Sequence, residues 1–153
     1  MPGLAAGLRA TVRAVVTEAD SAEAMGSGDL PVLATPRLLA LAEAATVAAV
    51  APHLAGELTT VGTAASLEHR KASPLGAEVV VEAELTEVDG RRLVFGFTAR
   101  AAGVPDDVAE DVAEDVVVGA GTVERVVVDR TRFLARANAE AAGAGDGFHD
   151  RGR

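Results

Sequence analysis

Residues 35–54, with the sequence TPRLLALAEAATVAAVAPHL, decide the fold. The residues from 38 to 50 are nearly all good helix formers. Thr35 followed by Pro36 is typical of a helix start, with the threonine as N-cap and the proline at the first helical position. Pro52 ends the run, because proline disfavours the helical conformation of the residue before it. The stretch therefore predicts one long helix, and its high content of alanine, leucine and valine predicts that this helix is buried.

Strand patterns lie on both sides of this helix. The clearest is 77–88, where apolar residues alternate with glutamates in a period of two, as in a strand with one solvated face. Asp89 and Gly90 then favour a hairpin turn. The other predicted strands are 7–18, 60–73, 91–101 and 116–128, and 18–33 is predicted to be a loop with short helical turns. One apolar helix followed by an antiparallel meander predicts an α+β fold, because both are buried only if the sheet wraps around the helix.

Two segments stand apart from this pattern. Residues 106–115 hold six of the 23 acidic residues and repeat the tetrad Asp-Val-Ala-Glu, so 105–116 is interpreted as an acidic hairpin insertion. Residues 135–153 predict a short helix that frays into a flexible tail. Since 153 residues are the usual length of one domain, residues 1–134 are expected to form a single domain.

Composition narrows the classes of function. The net charge of −9 argues against nucleic-acid binding, and the four aromatic residues, all phenylalanine, give no platform for stacking bases. The chain has no cysteine, and its three histidines are too scattered to predict a metal site. Neither a signal peptide nor a membrane span is predicted, so we expect a cytoplasmic protein.

Two side chains of the predicted helix are candidates for chemistry. Glu43 is the one charged residue between 38 and 56, and it lies either on an exposed stripe or on the buried face as a general base. Thr35 either caps the helix or presents its hydroxyl where backbone N–H groups favour negative charge. Their separation of eight residues corresponds to about 12 Å on a straight helix. A site that contains both therefore needs a bent helix start or a second subunit.

Three further candidates lie on the predicted strands. His69 is either a packed or surface histidine or a catalytic one. Gly62 either permits a bulge or lets a ligand approach the backbone. Arg125 is, on pattern alone, an ordinary exposed charge. The chain has no glycine-rich phosphate loop, serine nucleophile elbow or paired-aspartate metal motif that would assign a reaction by itself.

Several short motifs carry a resemblance when they are taken together. They are Leu30-Pro-Val-Leu-Ala-Thr35, Glu43, Ala51-Pro-His-Leu54, Val61-Gly-Thr63, His69, Ser73-Pro-Leu-Gly76, Glu84-Leu, Val88-Asp-Gly-Arg-Arg-Leu93 and Gly121-Thr-Val-Glu-Arg125. In identity and spacing they resemble the fluoroacetyl-CoA thioesterase family. The similarity covers about residues 7–135.

The resemblance implies a hotdog fold, in which a curved antiparallel β-sheet wraps around one long central α-helix. It also implies a homodimer with active sites at the subunit interface, and an acyl-CoA substrate whose coenzyme A is part of the substrate rather than a cofactor. Thr35, Glu43 and His69 match the catalytic residues of the family. His69 would be a general base or leaving-group acid, Glu43 would orient His69 or a water, and Thr35 would attack or position that water. The residues matched to substrate binding are Leu30, Gly62, Thr63 and Arg125.

The loop before the helix departs from the family pattern. Residues 26–33 contain no aromatic side chain, whereas the fluoroacetyl-specific enzyme has a phenylalanine lid there, and Leu30 is the nearest match. The resemblance therefore implies hydrolysis of a small or medium acyl-CoA rather than selectivity for the fluorinated one. The cations expected to meet the phosphates of coenzyme A are Arg70, Lys71, Arg91, Arg92 and Arg125.

Two alternatives remain open from the sequence. The same residues would serve a thioesterase acting on an acyl carrier protein. A non-catalytic protein that binds acyl-CoA or another small ligand could use the same fold, although such a protein has no need of Thr35, Glu43 and His69 together.

Overall fold

A long helix precedes four of the strands in the computed structural model, which describes residues 3–102 and 116–151. The elements are β1 (Arg9–Val15), α1 (Ala22–Met25), α2 (Thr35–Val50), β2 (Leu58–His69), β3 (Glu78–Asp89), β4 (Arg92–Ala101), β5 (Val117–Asp129) and α3 (Arg130–Arg151). Single 3₁₀ turns occur at Glu18–Asp20 and Ala51–His53. The short helical turns expected before the long helix are therefore confirmed. The acidic insertion predicted at 105–116 lies outside the described residues, apart from Val116.

Helix α2 is the buried helix that the sequence predicts. Its buried residues recur every three or four positions, and they are Leu38, Leu41, Ala42, Ala45, Thr46, Ala49 and Val50. The predicted helix start is wrong by one residue. Ala34 is the N-cap, with extended backbone, so Thr35 is the first helical residue and Pro36 the second. The Thr35 hydroxyl does not cap the helix, because it bonds to a residue of another element.

The five strands form one antiparallel sheet in the order β1-β3-β4-β5-β2. All five contact α2, which lies mainly against β1 and β3, so the sheet curves around the helix as expected. The hairpin at Asp89 and Gly90 is confirmed, with Gly90 at a φ of 59°. The expected meander of the four strands after the helix is wrong at its first step, since β2 pairs with β5 rather than with β3. Alternation of apolar residues fixes the buried face of a strand but does not choose its neighbour.

The core consists mainly of valine, leucine and alanine side chains. The alternation predicted for β3 is confirmed, because Val79, Val81, Ala83 and Leu85 are buried against α2. Phe95 of β4 is the largest fully buried side chain. The small alanines of α2 let the helix approach the sheet closely. Thr35 in the first turn and Glu43 in the middle of the helix therefore lie near the sheet.

The C-terminal segment differs from the prediction. In place of a short helix and a tail from residue 135, α3 runs from Arg130 to Arg151 directly after β5. Asp129 Oδ1 accepts a hydrogen bond from the backbone N–H of Arg132 at 3.0 Å, which caps the helix start. The alanines and arginines of its first half favour helix, and they outweigh the glycines that suggested a break. No described helix combines the length and the apolar character needed to cross a lipid bilayer.

Asp20 ties the loop before α2 to the first turn of that helix. Its backbone carbonyl accepts a hydrogen bond from Ala34 N at 2.9 Å, and its carboxylate accepts one from Arg37 Nε at 2.8 Å. The backbone N–H and hydroxyl of Thr17 also donate to this carboxylate. The Thr17 backbone hydrogen bond is the main reason that the pKa of Asp20 lies below its ordinary value of 3.8.

Asp20→Asn is expected to lower the free energy of unfolding by about 1–2 kcal/mol at pH 7, because hydrogen bonds to a charged acceptor are lost. A carboxyl group whose folded pKa is lowered contributes stability above its unfolded pKa and loses it as the pH falls through the folded value. The difference from wild type should therefore shrink below pH 3.8. Urea unfolding from pH 7 to pH 3 measures this. Asp29→Asn, an exposed change in the same loop, is the control, and a difference that is constant with pH contradicts the prediction.

Candidate active site

Thr35 and His69 meet where the start of α2 faces the end of β2. Thr35 Oγ1 lies 2.8 Å from His69 Nδ1, a hydrogen-bond distance between a hydroxyl and a potential base. Thr35 is exposed and His69 is half-buried. His69 Nε2 is buried, and no described residue hydrogen-bonds to it. The contact places a polarisable hydroxyl at the positive end of a long helix, where developing negative charge is favoured.

A cavity of about 240 Å³ adjoins this pair. Its lining is mostly small or aliphatic and consists of Ala22, Ser27, Val32, Leu33, Thr35, His69, Lys71 and Ala72. Leu30, which the sequence matched to substrate binding, is 62 % exposed and does not belong to this lining. The space next to the Thr35 hydroxyl therefore suits a small group. No phenylalanine in the described part of the chain contributes to the lining of this cavity.

Burial lowers the pKa of His69 below its ordinary value of 6.5, and a backbone hydrogen bond with Lys71 opposes this effect only in part. Since the charged imidazolium is the disfavoured form, His69 is neutral at pH 7 and available as a base. Its contribution to stability is present above pH 6.5 and is lost as the pH falls through the folded pKa.

An NMR titration of the imidazole resonances is expected to give a midpoint below 6.5 for His69. The chain contains three histidines, and the missing signal of a His69→Gln variant assigns this one. If His69 is a catalytic base, kcat/KM should also fall on the acid side with a midpoint below 6.5. A His69 midpoint at or above 6.5 contradicts the prediction.

Glu43 and Arg125 form a second polar group, at the middle of α2. Arg125 Nη1 donates to Glu43 Oε2 at 3.0 Å. Arg125 Nε donates to Thr60 Oγ1 at 2.8 Å, and Nη2 donates to the Thr60 carbonyl at 3.1 Å. The side chain of Arg125 is 8 % exposed and that of Glu43 is 40 % exposed. The interpretation of Arg125 as an ordinary exposed charge is therefore wrong, and Glu43 is neither fully buried nor on an open stripe.

Gly62 gives the Glu43 carboxylate the space that it occupies. A Cβ atom on Gly62 would lie 2.5 Å from Glu43 Oε2 and 3.3 Å from Arg125 Nη1. Gly62 is also the partner of Arg125 in the pairing of β2 with β5. Of the two interpretations of this glycine, the bulge is confirmed by the register shift between Gly62 and Ala64. The group that approaches Gly62 closely is a carboxylate of the same chain.

A bulge follows Gly62 directly. Gly62 pairs with Arg125 and Ala64 pairs with Glu124, so Thr63 is an extra residue in β2. The Thr63 hydroxyl donates to the Glu124 carbonyl at 3.3 Å. In a regular strand, Gly62 and His69 would face opposite sides, because they are seven residues apart. The extra residue brings both to the side that faces α2.

The catalytic candidates thus form two groups within one chain. Thr35 bonds to His69 at the start of α2, and Glu43 bonds to Arg125 two turns further on, about 12 Å away. No hydrogen bond or ion pair joins Glu43 to His69 in the described part of the chain. Thr35 is exposed and the Glu43 side chain is 40 % exposed, so each group is accessible from outside the chain.

Comparison with known proteins assigns the family. The sequence model of the family described as fluoroacetyl-CoA-specific thioesterase (FlK) matches residues 16–131. The chain belongs to this family. A fluoroacetyl-CoA thioesterase of Streptantibioticus cattleyicolor is 38 % identical over 105 residues, which cover 69 % of this chain and 67 % of that protein.

Solved structures agree with this assignment. A mutant of the fluoroacetyl-CoA-specific thioesterase in complex with acetyl-CoA has a TM-score of 0.76 at 30 % identity, covering 90 % of this chain and 98 % of that one. A hot-dog-like protein from Thermanaerovibrio acidaminovorans has a TM-score of 0.74 at 18 % identity, covering 88 % and 91 %. The predicted hotdog fold and the predicted family are both confirmed.

Thr60 belongs to the group around Glu43 and Arg125 but was not predicted from the sequence. Thr60 is buried and holds the Arg125 guanidinium through both its hydroxyl and its carbonyl. The available signal was its position two residues before Gly62, which places both on one face of β2. In this thioesterase family member, Thr60 holds Arg125, Arg125 donates to the Glu43 carboxylate, and Gly62 leaves space for that carboxylate.

Proposed function

We propose that the protein is an acyl-CoA thioesterase that hydrolyses the thioester of a small or medium acyl-CoA. The observation that carries this proposal is the 2.8 Å contact between Thr35 Oγ1 and His69 Nδ1 beside a cavity of about 240 Å³, in a member of a thioesterase family. A hydroxyl bonded to a neutral histidine next to a small cavity suits attack on a compact acyl group. The reaction consumes water and needs no cofactor, since coenzyme A is part of the substrate.

The proposed reaction has two steps. The Thr35 oxygen attacks the thioester carbonyl carbon, His69 accepts the hydroxyl proton, and the carbon–sulfur bond breaks as His69 returns that proton to the sulfur. A water molecule then attacks the acyl-threonine carbonyl carbon as Glu43 accepts one of its protons. The bond between that carbon and the Thr35 oxygen breaks as the proton passes to the oxygen, which releases the carboxylic acid and restores the hydroxyl. The start of α2 favours the negative charge that develops on the carbonyl oxygen.

This chemistry requires a second copy of the chain, and we propose a homodimer with the sites at its interface. Glu43 lies about 12 Å along α2 from Thr35, so a dimer is the means of bringing Glu43 of one chain to the pair of the other. The edge strand β2 leaves residues 63–66 exposed, and an exposed edge of this length is usually covered by another element or chain. Light scattering after size exclusion should give twice the mass of 15.4 kDa.

We place the activity in the cytoplasm of a bacterium. Acyl-CoA thioesters are made and consumed inside cells, and the relative that is 38 % identical comes from Streptantibioticus cattleyicolor, a bacterium.

Release of free thiol from a panel of acyl-CoA and acyl-carrier-protein thioesters tests the function. We expect turnover of short acyl-CoA substrates, and loss of turnover in Thr35→Val, which keeps the shape of the side chain and removes the hydroxyl. If only the substrates bound to acyl carrier protein are hydrolysed, the enzyme acts on a carrier protein rather than on coenzyme A. Tight binding of acyl-CoA without turnover by the wild-type chain would show a binding protein instead.

A further inference from the structure

Three arginine side chains converge at the junction of β5 and α3. Arg91, Arg132 and Arg136 line a cavity of about 400 Å³, together with the Phe133 ring and Asp129. Arg91 precedes β4, whereas Arg132 and Arg136 lie one turn apart on the same face of α3. The cavity therefore combines cationic groups from two elements that are distant in the sequence.

These three arginines differ in their partners from most of the other described arginines. Six described arginines form ion pairs with carboxylates, and these are Arg9, Arg13, Arg37, Arg70, Arg92 and Arg125. Among the described residues, the three arginines of the cavity form none. Arg91 Nη1 donates to the Val127 carbonyl at 3.4 Å, and the Asp129 carboxylate accepts the backbone N–H of Arg132 rather than a guanidinium.

The placement of these charges on α3 is unfavourable for the helix itself. The first turn of a helix carries partial positive charge, so cations there are repelled and anions are favoured. The first turn of α3 holds Arg130 and Arg132 and no acidic residue. In a chain of net charge −9, such a concentration of unpaired positive charge fits a site for an anion.

We propose that this cavity binds the phosphate groups of coenzyme A. Arginine guanidinium groups bind phosphate oxygens in a bidentate manner, and the Phe133 ring, 40 % exposed, offers a surface against which adenine can stack. The proposal rests on the proposed thioesterase function.

The position of the cavity on β5 agrees with this ligand. Arg125 lies at the Glu43 group, and Val128 of the cavity is three residues further along the strand, about 10 Å away. The phosphates of coenzyme A are separated from its thioester by the extended pantetheine arm. A phosphate site must therefore lie away from the reacting carbon, on a surface that the arm can reach.

This assignment revises the set of cations predicted from the sequence. Arg70, Arg92 and Arg125 are occupied by Glu68, Glu124 and Glu43 respectively, and Lys71 lines the cavity beside Thr35 instead. Arg91 is the member of the predicted set that lines the arginine cavity. Arg132 and Arg136 were not in the set, and Arg136 lies in the segment 135–153 that was expected to be largely a tail.

The double variant Arg132→Gln/Arg136→Gln tests the proposal. We expect its KM for acetyl-CoA to rise about tenfold or more with kcat nearly unchanged, because two charge-assisted contacts to the ground state are lost. Its KM for acetyl-pantetheine, which lacks phosphate, should equal that of wild type. The increase of the acetyl-CoA KM with salt should also become weaker. Arg13→Gln, a loss of one paired arginine on β1, should change none of these values.

Binding of 3′,5′-ADP, measured by calorimetry, provides a readout that does not need turnover. Wild type should bind this nucleotide and the double variant should bind it at least tenfold more weakly. Equal binding by both proteins, no binding by wild type, or an unchanged KM for acetyl-CoA would each overturn the site while leaving the thioesterase activity in place. If the chain hydrolyses no thioester, the proposed function fails, and the nucleotide titration alone still decides whether the arginine cavity is an anion site.

Discussion

Glu43→Gln should lower kcat for acetyl-CoA hydrolysis by about 10²–10⁴-fold, the usual contribution of a general base. Glutamine keeps the length of the side chain, and its carbonyl oxygen can still accept the hydrogen bond from Arg125 Nη1. What is lost is the ability to take a proton. Initial rates of thiol release measure the effect. Mass spectrometry of the variant after mixing with substrate should show the acyl-threonine accumulating, because its hydrolysis is the step that needs Glu43.

The matched control for this prediction is Glu82→Gln. Glu82 is an exposed carboxylate on β3 that pairs with Arg9 at 3.5 Å, away from α2. Its replacement should leave kcat within about twofold of wild type, as exposed ion pairs contribute little. Glu82→Gln should unfold at nearly the wild-type urea concentration, whereas Glu43→Gln should unfold at a lower one, because the buried Arg125 guanidinium loses its charged partner. If Glu43→Gln keeps wild-type kcat, the carboxylate is not the base and the second step of the proposed reaction is wrong.

Gly62→Ala is expected to lower kcat/KM by about 10²-fold or more. The new methyl group would lie 2.5 Å from Glu43 Oε2, so the carboxylate has to move away from Arg125. Displacement of a reacting group by about 1 Å is sufficient for a loss of this size. The free energy of unfolding should change little in comparison, because Gly62 has an ordinary strand conformation and an exposed surface.

Gly96→Ala provides the comparison on β4, which β5 separates from β2. A Cβ at Gly96 would lie 3.9 Å from Thr86 Cγ2, which is an ordinary contact, so activity should stay at the wild-type level. In the Glu43→Gln background, Gly62→Ala should cost much less than in wild type, since both changes act on one carboxylate. Additive losses would show that Gly62 acts through another group and would remove it from the Glu43 site.

The features of the fold that follow from local periodicity were predictable. The helix formers of 38–50 and the alternation of 77–88 fixed α2 and β3, since both patterns report which face is buried. The pairing of β2 with β5 was not predictable in this way, because the choice of neighbour depends on the whole sheet. The length of α3 was underestimated because its glycines lie after a stretch whose alanines and Asp129 cap already favour a helix.

The candidate site was predictable as a set of residues but not as a geometry. Thr35 and His69 were both candidates, yet their contact depends on the start of α2 reaching the end of β2, which no local pattern encodes. Arg125 looked exposed because a single arginine in a strand usually is. Its burial depends on three hydrogen-bond acceptors, two from Thr60 and one from Glu43, which come together only when β2, β5 and α2 pack.

The bulge at Thr63 sets a rule for changes in chain length. Because each residue added to or removed from a regular strand turns all later side chains to the other face, deleting Thr63 would remove the bulge and leave Gly62 and His69 six residues apart, still on one face. A single-residue insertion between Gly62 and His69 that keeps the bulge would instead carry His69 away from Thr35, whereas a change of two residues preserves the facing but shifts the register. A relative that keeps both contacts therefore needs either an odd separation with one bulge or an even separation without one. Whether the number of residues from the glycine to the histidine is odd or even, taken with the bulge, is therefore a more selective test of shared mechanism than residue identity alone.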